Sequence, residues 1–262
     1  MPTAKLDSTL EMFYEDDDFT EPWLNSEAVL LHHGNFKNAR FWYRWVPVLA
    51  REFRVIRLDA RGMGRSTAPP PGYPYSLSGF ADDVRKLLDH LGVDRVHMVG
   101  ESLGGTIGYQ LASETPERLK SLSVCGSPYN FKAINGFTNN RDLVIKDGTR
   151  AYAHHTIGVR VTAEANQAEI DWNIEQVAAT PNHVGAETLT YLAEQDLTDV
   201  LPKIKVPTLL LFGESSPNSP DEILKLIPGS RLERIKDVPG MVCYTAADRS
   251  IEAWRRFVAS VA

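Results

Sequence analysis

Short apolar runs alternate along this chain with stretches whose apolar residues recur every three or four positions. The first kind reads as buried strand: Glu27–His33 (EAVLLHH), Phe53–Asp59 (FRVIRLD), Arg95–Gly100, Lys120–Cys125, Pro207–Gly213 (PTLLLFG) and Arg231–Lys236. The second reads as helix. Trp42, Trp45, Val46 and Leu49 share a face within Phe41–Arg51. Phe80, Val84, Leu87, Leu88 and Leu91 do so within Ser78–Leu91, and Ile251, Trp254 and Val258 within Asp248–Val261. Strand alternating with helix is the pattern of a mostly parallel sheet covered on both faces. Between Ser127 and Asp199 the strand pattern stops. Helical periods replace it at Asp142–His154, Glu164–Ala179 and Val184–Glu194, broken by Gly148, Gly158 and Pro181. The expected organisation is therefore an α/β core of residues 1–126 and 200–262 with a helical cap, 127–199, inserted between strands.

One short segment carries the most chemistry. Gly100-Glu101-Ser102-Leu103-Gly104 follows the apolar run Val96–Val99 and opens the helical stretch Leu103–Ser113. A Gly-x-Ser-x-Gly between strand and helix is a nucleophile elbow: the serine occupies a strained turn, and small neighbours let strand and helix close around it. Ser102 is thus the candidate nucleophile.

Composition narrows the setting. A chain of 262 residues, 43% hydrophobic and 24% charged, has the make-up of a soluble globular protein with a sizeable core. Its net charge of −6 is spread along the chain, which argues against nucleic acid and anionic membrane as partners. Met1–Asp18 is polar and acidic, unlike a signal peptide. No run approaches the roughly 18 apolar residues of a membrane span. A cytoplasmic monomer or homodimer acting on a small molecule is expected. Gly62-Met63-Gly64 lacks the strand–turn–helix setting of a dinucleotide site, and no metal spacing occurs, so neither cofactor nor metal is expected. Cys125 and Cys243 end strands with one strand between them, which puts them about 10 Å apart, beyond disulfide reach.

With the elbow placed, the chain resembles the α/β-hydrolase superfamily over essentially its whole length. His33-Gly34-Asn35 follows the first long strand as that family's oxyanion loop does. Asp59–Ser66 (DARGMGRS) matches its structural D-x-R-G-x-G-x-S turn, and the cap falls in the family's usual place. The resemblance implies that Ser102 attacks an acyl carbon, activated by a histidine that an acid orients. It also implies that the backbone N–H groups of Leu103 and Asn35 form the oxyanion hole, each such donor being worth ~10²–10³ in rate.

Two family positions are altered. The acid's motif reads Gly213-Glu214-Ser215-Ser216-Pro217, with Ser216 in the aspartate's place. The histidine's motif reads Pro239-Gly240-Met241-Val242-Cys243, with Cys243 in the histidine's place, and no histidine follows His183. Losing the histidine alone costs ~10⁶ in the best-studied serine protease. Candidate replacements are His33 beside the oxyanion loop, His154 and His155 in the cap, and Glu214 beside the vacated acid position. Phe36, Trp42, Glu101, Cys125, Tyr152, Trp172, Tyr191 and Tyr244 are candidate substrate-pocket residues. The leading expectation is a serine hydrolase of an ester, lactone or amide of a small, largely apolar molecule, with an altered base. A non-hydrolytic lyase, cyclase or decarboxylase using the oxyanion hole is the alternative, as is a ligand-binding relative without catalysis.

Overall fold

An eight-stranded sheet organises the chain; the computed structural model describes residues 2–214, 216–238 and 240–261. The strands are β1 (Thr3–Lys5), β2 (Glu11–Asp17), β3 (Ala28–His32), β4 (Arg54–Leu58), β5 (Val96–Glu101), β6 (Leu119–Cys125), β7 (Thr208–Gly213) and β8 (Arg231–Ile235). In space they run β1-β2-β4-β3-β5-β6-β7-β8; β1 and β2 are antiparallel to their neighbours and the rest are parallel.

Six strands fall where the apolar runs predict them, whereas β1 and β2 carry little apolar signal. Ion pairing across to β4 explains this for β2. Its Glu15, Asp16 and Asp17 pair with Arg57 and Arg54 of β4 at 2.7–3.0 Å, so cross-strand ion pairs stand where apolar side chains would have marked a strand.

The helices are α1 (Val46–Leu49), α2 (Leu77–His90), α3 (Leu103–Glu114), α4 (Phe137–His155), α5 (Gln167–Ala178), α6 (Asn182–Ala193), α7 (Pro220–Leu226), α8 (Val242–Thr245) and α9 (Ala247–Val258). The helix expected over Phe41–Arg51 is instead a 3₁₀ turn, Ala39–Trp42, followed by α1. Pro47 sits in the first turn of α1, where its missing N–H costs nothing, and could not continue a helix begun earlier. Alternation along the strands feeds two apolar layers. Leu30, Ile56, Met98, Leu122 and Leu210 pack with α2 and α3. Val29, Val55, Val99, Leu209 and Leu211 pack with Trp45 and with Trp254 of α9. α4, α5 and α6 lie between β6 and β7 in the chain, and α4 bends at Gly148 (φ 84°, ψ 174°). No described helix is long and apolar enough to cross a membrane.

Candidate active site

Parallel pairing brings the carboxyl ends of the central strands to one edge, with His32 beside Gly100 and Glu101 beside Cys125. This is the edge where ligands bind in open α/β sheets. Ser102 follows β5 with φ 52° and ψ −118°, a backbone conformation that L-residues rarely adopt. Its N–H donates to the Cys125 carbonyl at 3.0 Å, which locks the turn to β6. Gly104 makes the turn possible. A Cβ there would stand 2.3 Å from the His32 carbonyl oxygen, so only glycine lets α3 close on β3. Ser102 is only partly buried, and among the described residues nothing hydrogen-bonds its hydroxyl.

The loop after β3 lies against the serine. A Cβ on Gly34 would be 3.0 Å from Ser102 Cβ and 3.6 Å from its Oγ. Asn35 Nδ2 reaches Thr188 Oγ1 of α6 at 3.4 Å, which ties the loop to the inserted helices. The backbone N–H groups of Asn35 and Leu103 donate to no described residue, and Leu103 opens α3, where the first-turn amides of a helix are free. The DARGMGRS turn beneath is structural, as the motif implies. The Asp59 carboxylate accepts from the N–H of Ala39 (2.7 Å) and Arg65 (2.8 Å), and Arg61 grips Asp83 at 2.6 and 2.9 Å.

The altered positions are filled differently. Cys243 is buried on α8, its carbonyl accepting from the Trp45 indole at 2.8 Å. Its thiol lies close enough to the Cys125 thiol for the two to interact, and burial pushes its pKa well up. The spacing of about 10 Å expected for the two cysteines is therefore wrong. It treated Cys243 as the end of a strand, whereas the turn after β8 folds α8 against β7 and the Ala39–Trp42 turn. Both thiols are free. Ser216 lies beyond β7, its N–H bonded to the Gly213 carbonyl (3.1 Å) and its Oγ accepting from Asn218 N–H (3.4 Å). Glu214 is exposed.

The candidate bases do not gather at Ser102. His33 is buried with both ring nitrogens engaged: Nε2 accepts from the Ala60 N–H (2.9 Å), so Nδ1–H donates to the Gly34 carbonyl (2.7 Å). Burial lowers its pKa to about 4, and that of His32 to about 3. His33 is a neutral brace for the loop, with no lone pair left for a serine proton. His154 and His155 end α4 exposed, and His154 faces the exposed Arg150–Glu175 pair. His97 bonds Ser121 and Glu27, and His183 bonds the Pro69 carbonyl.

The eight pocket candidates separate into five places. The Phe36 and Tyr152 rings meet at a tilt, centroids 4.5 Å apart, beside the loop. Trp172 and Tyr244 line a 650 Å³ cavity with Tyr43, Arg40 and Glu169. Glu101 and Cys125 are buried at the strand ends. Trp42 and Tyr191 lie apart: Trp42 packs in the core against Trp45, and the Tyr191 hydroxyl accepts from the Leu77 N–H in a surface groove with Tyr73. Trp42 went inward because the 3₁₀ turn rotates it onto the Trp45 layer.

Two basic residues escaped the sequence reading. Lys37 and Glu101 form a buried ion pair, with the ammonium 4.8 Å from the Phe41 ring centroid and 6.0 Å from that of Tyr244. Burial lowers the Lys37 pKa, opposed by the Glu101 charge, and the ammonium also feels Arg160 and Cys243. Arg160 is likewise buried, its guanidinium 5.4 Å from the Tyr152 ring centroid. A lysine two residues past the oxyanion loop, within an aromatic stretch, was the available sign for Lys37. Arg160, in a segment without periodicity, offered none.

The model of the alpha/beta hydrolase fold matches residues 27–245. The chain belongs to the α/β-hydrolase superfamily and is a hydrolase-class enzyme of that fold. A protein provisionally named carbamate hydrolase RutD, from Stutzerimonas stutzeri, is 30% identical over 86% of this chain and 84% of its own. The structure of a thermophilic esterase from Thermogutta terrifontis superposes with a TM-score of 0.82 and 28% identity, over 96% of this chain and 94% of that one. The enol-lactonase of Burkholderia xenovorans LB400 shares the fold with a TM-score of 0.88 at 24% identity, over 98% and 100%.

Proposed function

We propose that this chain hydrolyses an ester, lactone or amide of a small, largely apolar molecule through Ser102, without an imidazole base. The observation that carries the reading is the strained Ser102 turn set against two unengaged amides, those of Leu103 and Asn35. Strain of this kind costs of order 1–3 kcal/mol and persists where the surrounding structure enforces it. The Ser102 oxygen attacks the acyl carbon, the carbonyl oxygen takes the electron pair and sits between the two amides, and the serine proton leaves to water. Collapse of the intermediate expels the alcohol or amine, and water then releases the acid. Residues 127–199 act as the cap that shapes the substrate. An esterase and a named carbamate hydrolase among the similar proteins support hydrolysis of a carbonyl bond.

Magnitudes set the expected rate. Triad enzymes stripped of their imidazole lose ~10⁶ but keep ~10³–10⁴ over water from the oxyanion hole and binding. Turnover is therefore slow. Incubation with a fluorophosphonate followed by intact mass should show one adduct, absent in Ser102→Ala. An unlabelled wild type whose turnover survives Ser102→Ala would overturn the reading.

The buried cations Lys37 and Arg160 favour one second reading, stabilisation of an enolate in a lyase or decarboxylase. Deuterium uptake next to a carbonyl, without acyl-enzyme, would select it.

A further inference from the structure

Three charged side chains, Lys37, Glu101 and Arg160, are buried near the elbow, and their charges do not cancel. Lys37 and Glu101 neutralise each other. Arg160 does not share in that: it is 2% exposed, and among the described residues no carboxylate lies within ion-pair distance of it. Its Nε donates to Thr156 Oγ1 at 2.9 Å, while Nη1 is buried with no acceptor. An interior cation without a counter-ion costs several kcal/mol, and a buried donor without a partner adds to that.

Position gives this surplus charge a use. The carbonyl of Val159, the preceding residue, lies 3.1 Å from where a Cβ on Gly240 would stand, so Arg160 is held beside the Gly240–Cys243 segment that replaces the family's histidine motif. The Tyr152 ring lies under the guanidinium and packs at a tilt against Phe36, which follows Asn35. Tyr152 and Phe36 thus join Arg160 to the loop that lies against Ser102.

We infer that the substrate carries a carboxylate on its acyl part, received by Arg160 while the scissile carbonyl sits at Ser102. The inference rests on the Ser102 site of the proposed function and names its substrate class. Arg160 is a specificity residue there; its fork of donors matches a carboxylate, and Nη1 is the donor left free for it.

The test separates this claim from the nucleophile claim. Calorimetric titration with glutarate, and with neutral glutaramide as its isostere, is run on wild type, Ser102→Ala, Arg160→Met and Arg160→Lys. Glutarate should bind wild type and Ser102→Ala alike, at least tenfold tighter than glutaramide. Arg160→Met should weaken glutarate by about tenfold to a hundredfold, the worth of a charged hydrogen bond, and Arg160→Lys by less. The kcat/KM ratio of mono-4-nitrophenyl glutarate to 4-nitrophenyl butyrate should fall in step. Equal glutarate affinity in wild type and a folded Arg160→Met overturns the inference. If that variant does not fold, failure of wild type to prefer glutarate over glutaramide does so. Turnover surviving in Ser102→Ala would instead sink the nucleophile reading while leaving the carboxylate preference standing.

Discussion

Replacing Lys37 by methionine removes one charge from a pair in which the two side chains are 1% and 3% exposed. The methionine keeps the stem that packs near the Phe41 ring, so the loss is electrostatic. Glu101 is left buried with neither Oε satisfied, since Oε1 already lacks a partner. Breaking a buried pair in this way costs about 3–5 kcal/mol, whereas replacing both partners by apolar groups is often neutral. At about 2–4 °C per kcal/mol for a domain of this size, Lys37→Met should melt about 6–20 °C below wild type. The double variant Lys37→Met/Glu101→Leu should recover most of that. Differential scanning calorimetry on the two single variants and the double completes the cycle. The pH dependence has a definite sign. Burial lowers the folded-state pKa of Lys37, so the unfolded chain holds more protons between that value and 10.5. Lys37 therefore makes stability rise with pH across this window, and Lys37→Met should flatten the rise. A Lys37→Met melting point within about 2 °C of wild type would refute the buried pairing.

Acid should weaken the fold through His32 and His33, whose pKa values are about 3 and 4 against an ordinary 6.5. The unfolded chain takes up their protons first, so stability falls as pH drops below 6.5, by up to about 1.4 kcal/mol per unit for each; urea melts at pH 7, 6 and 5 measure it. Gly34→Ala should cut kcat/KM by ~10² or more, because the new Cβ crowds Ser102 and displaces the Asn35 amide; ester hydrolysis with a parallel melt checks it. Ellman's reagent should find no reactive thiol in the native protein and two in urea, both cysteines being buried. Without an imidazole at the serine, log kcat/KM for an ester should climb with pH and show no inflection near 6–7; a histidine-like plateau would contradict the mechanism.

The core of the fold was legible because its strands are apolar on both faces and its long helices keep a clean period, as in β3, β5 and α2. The antiparallel strands β1 and β2 were not, since β2 trades apolar residues for ion pairs with Arg54 and Arg57. At the site, Ser102, Gly34 and Asn35 were readable as local motifs, each fixed by a turn geometry that the residue types announce. Lys37 and Arg160 were not, because their burial beside Cys243 depends on how the α4–α6 insertion and the turn after β8 settle over the sheet. The same long-range packing moved Cys243 onto Cys125 and turned His33 into a brace.

The left-handed serine has a practical side. Glycine adopts φ 52° and ψ −118° without penalty, so Ser102→Gly should relieve the turn, toughening the protein by about 1 kcal/mol as it silences chemistry. Durability and reactivity are thus set against each other at a single atom pair, the Cβ and Oγ that glycine lacks. An inert, hardier chain is then the natural host for capturing an intact substrate in a crystal.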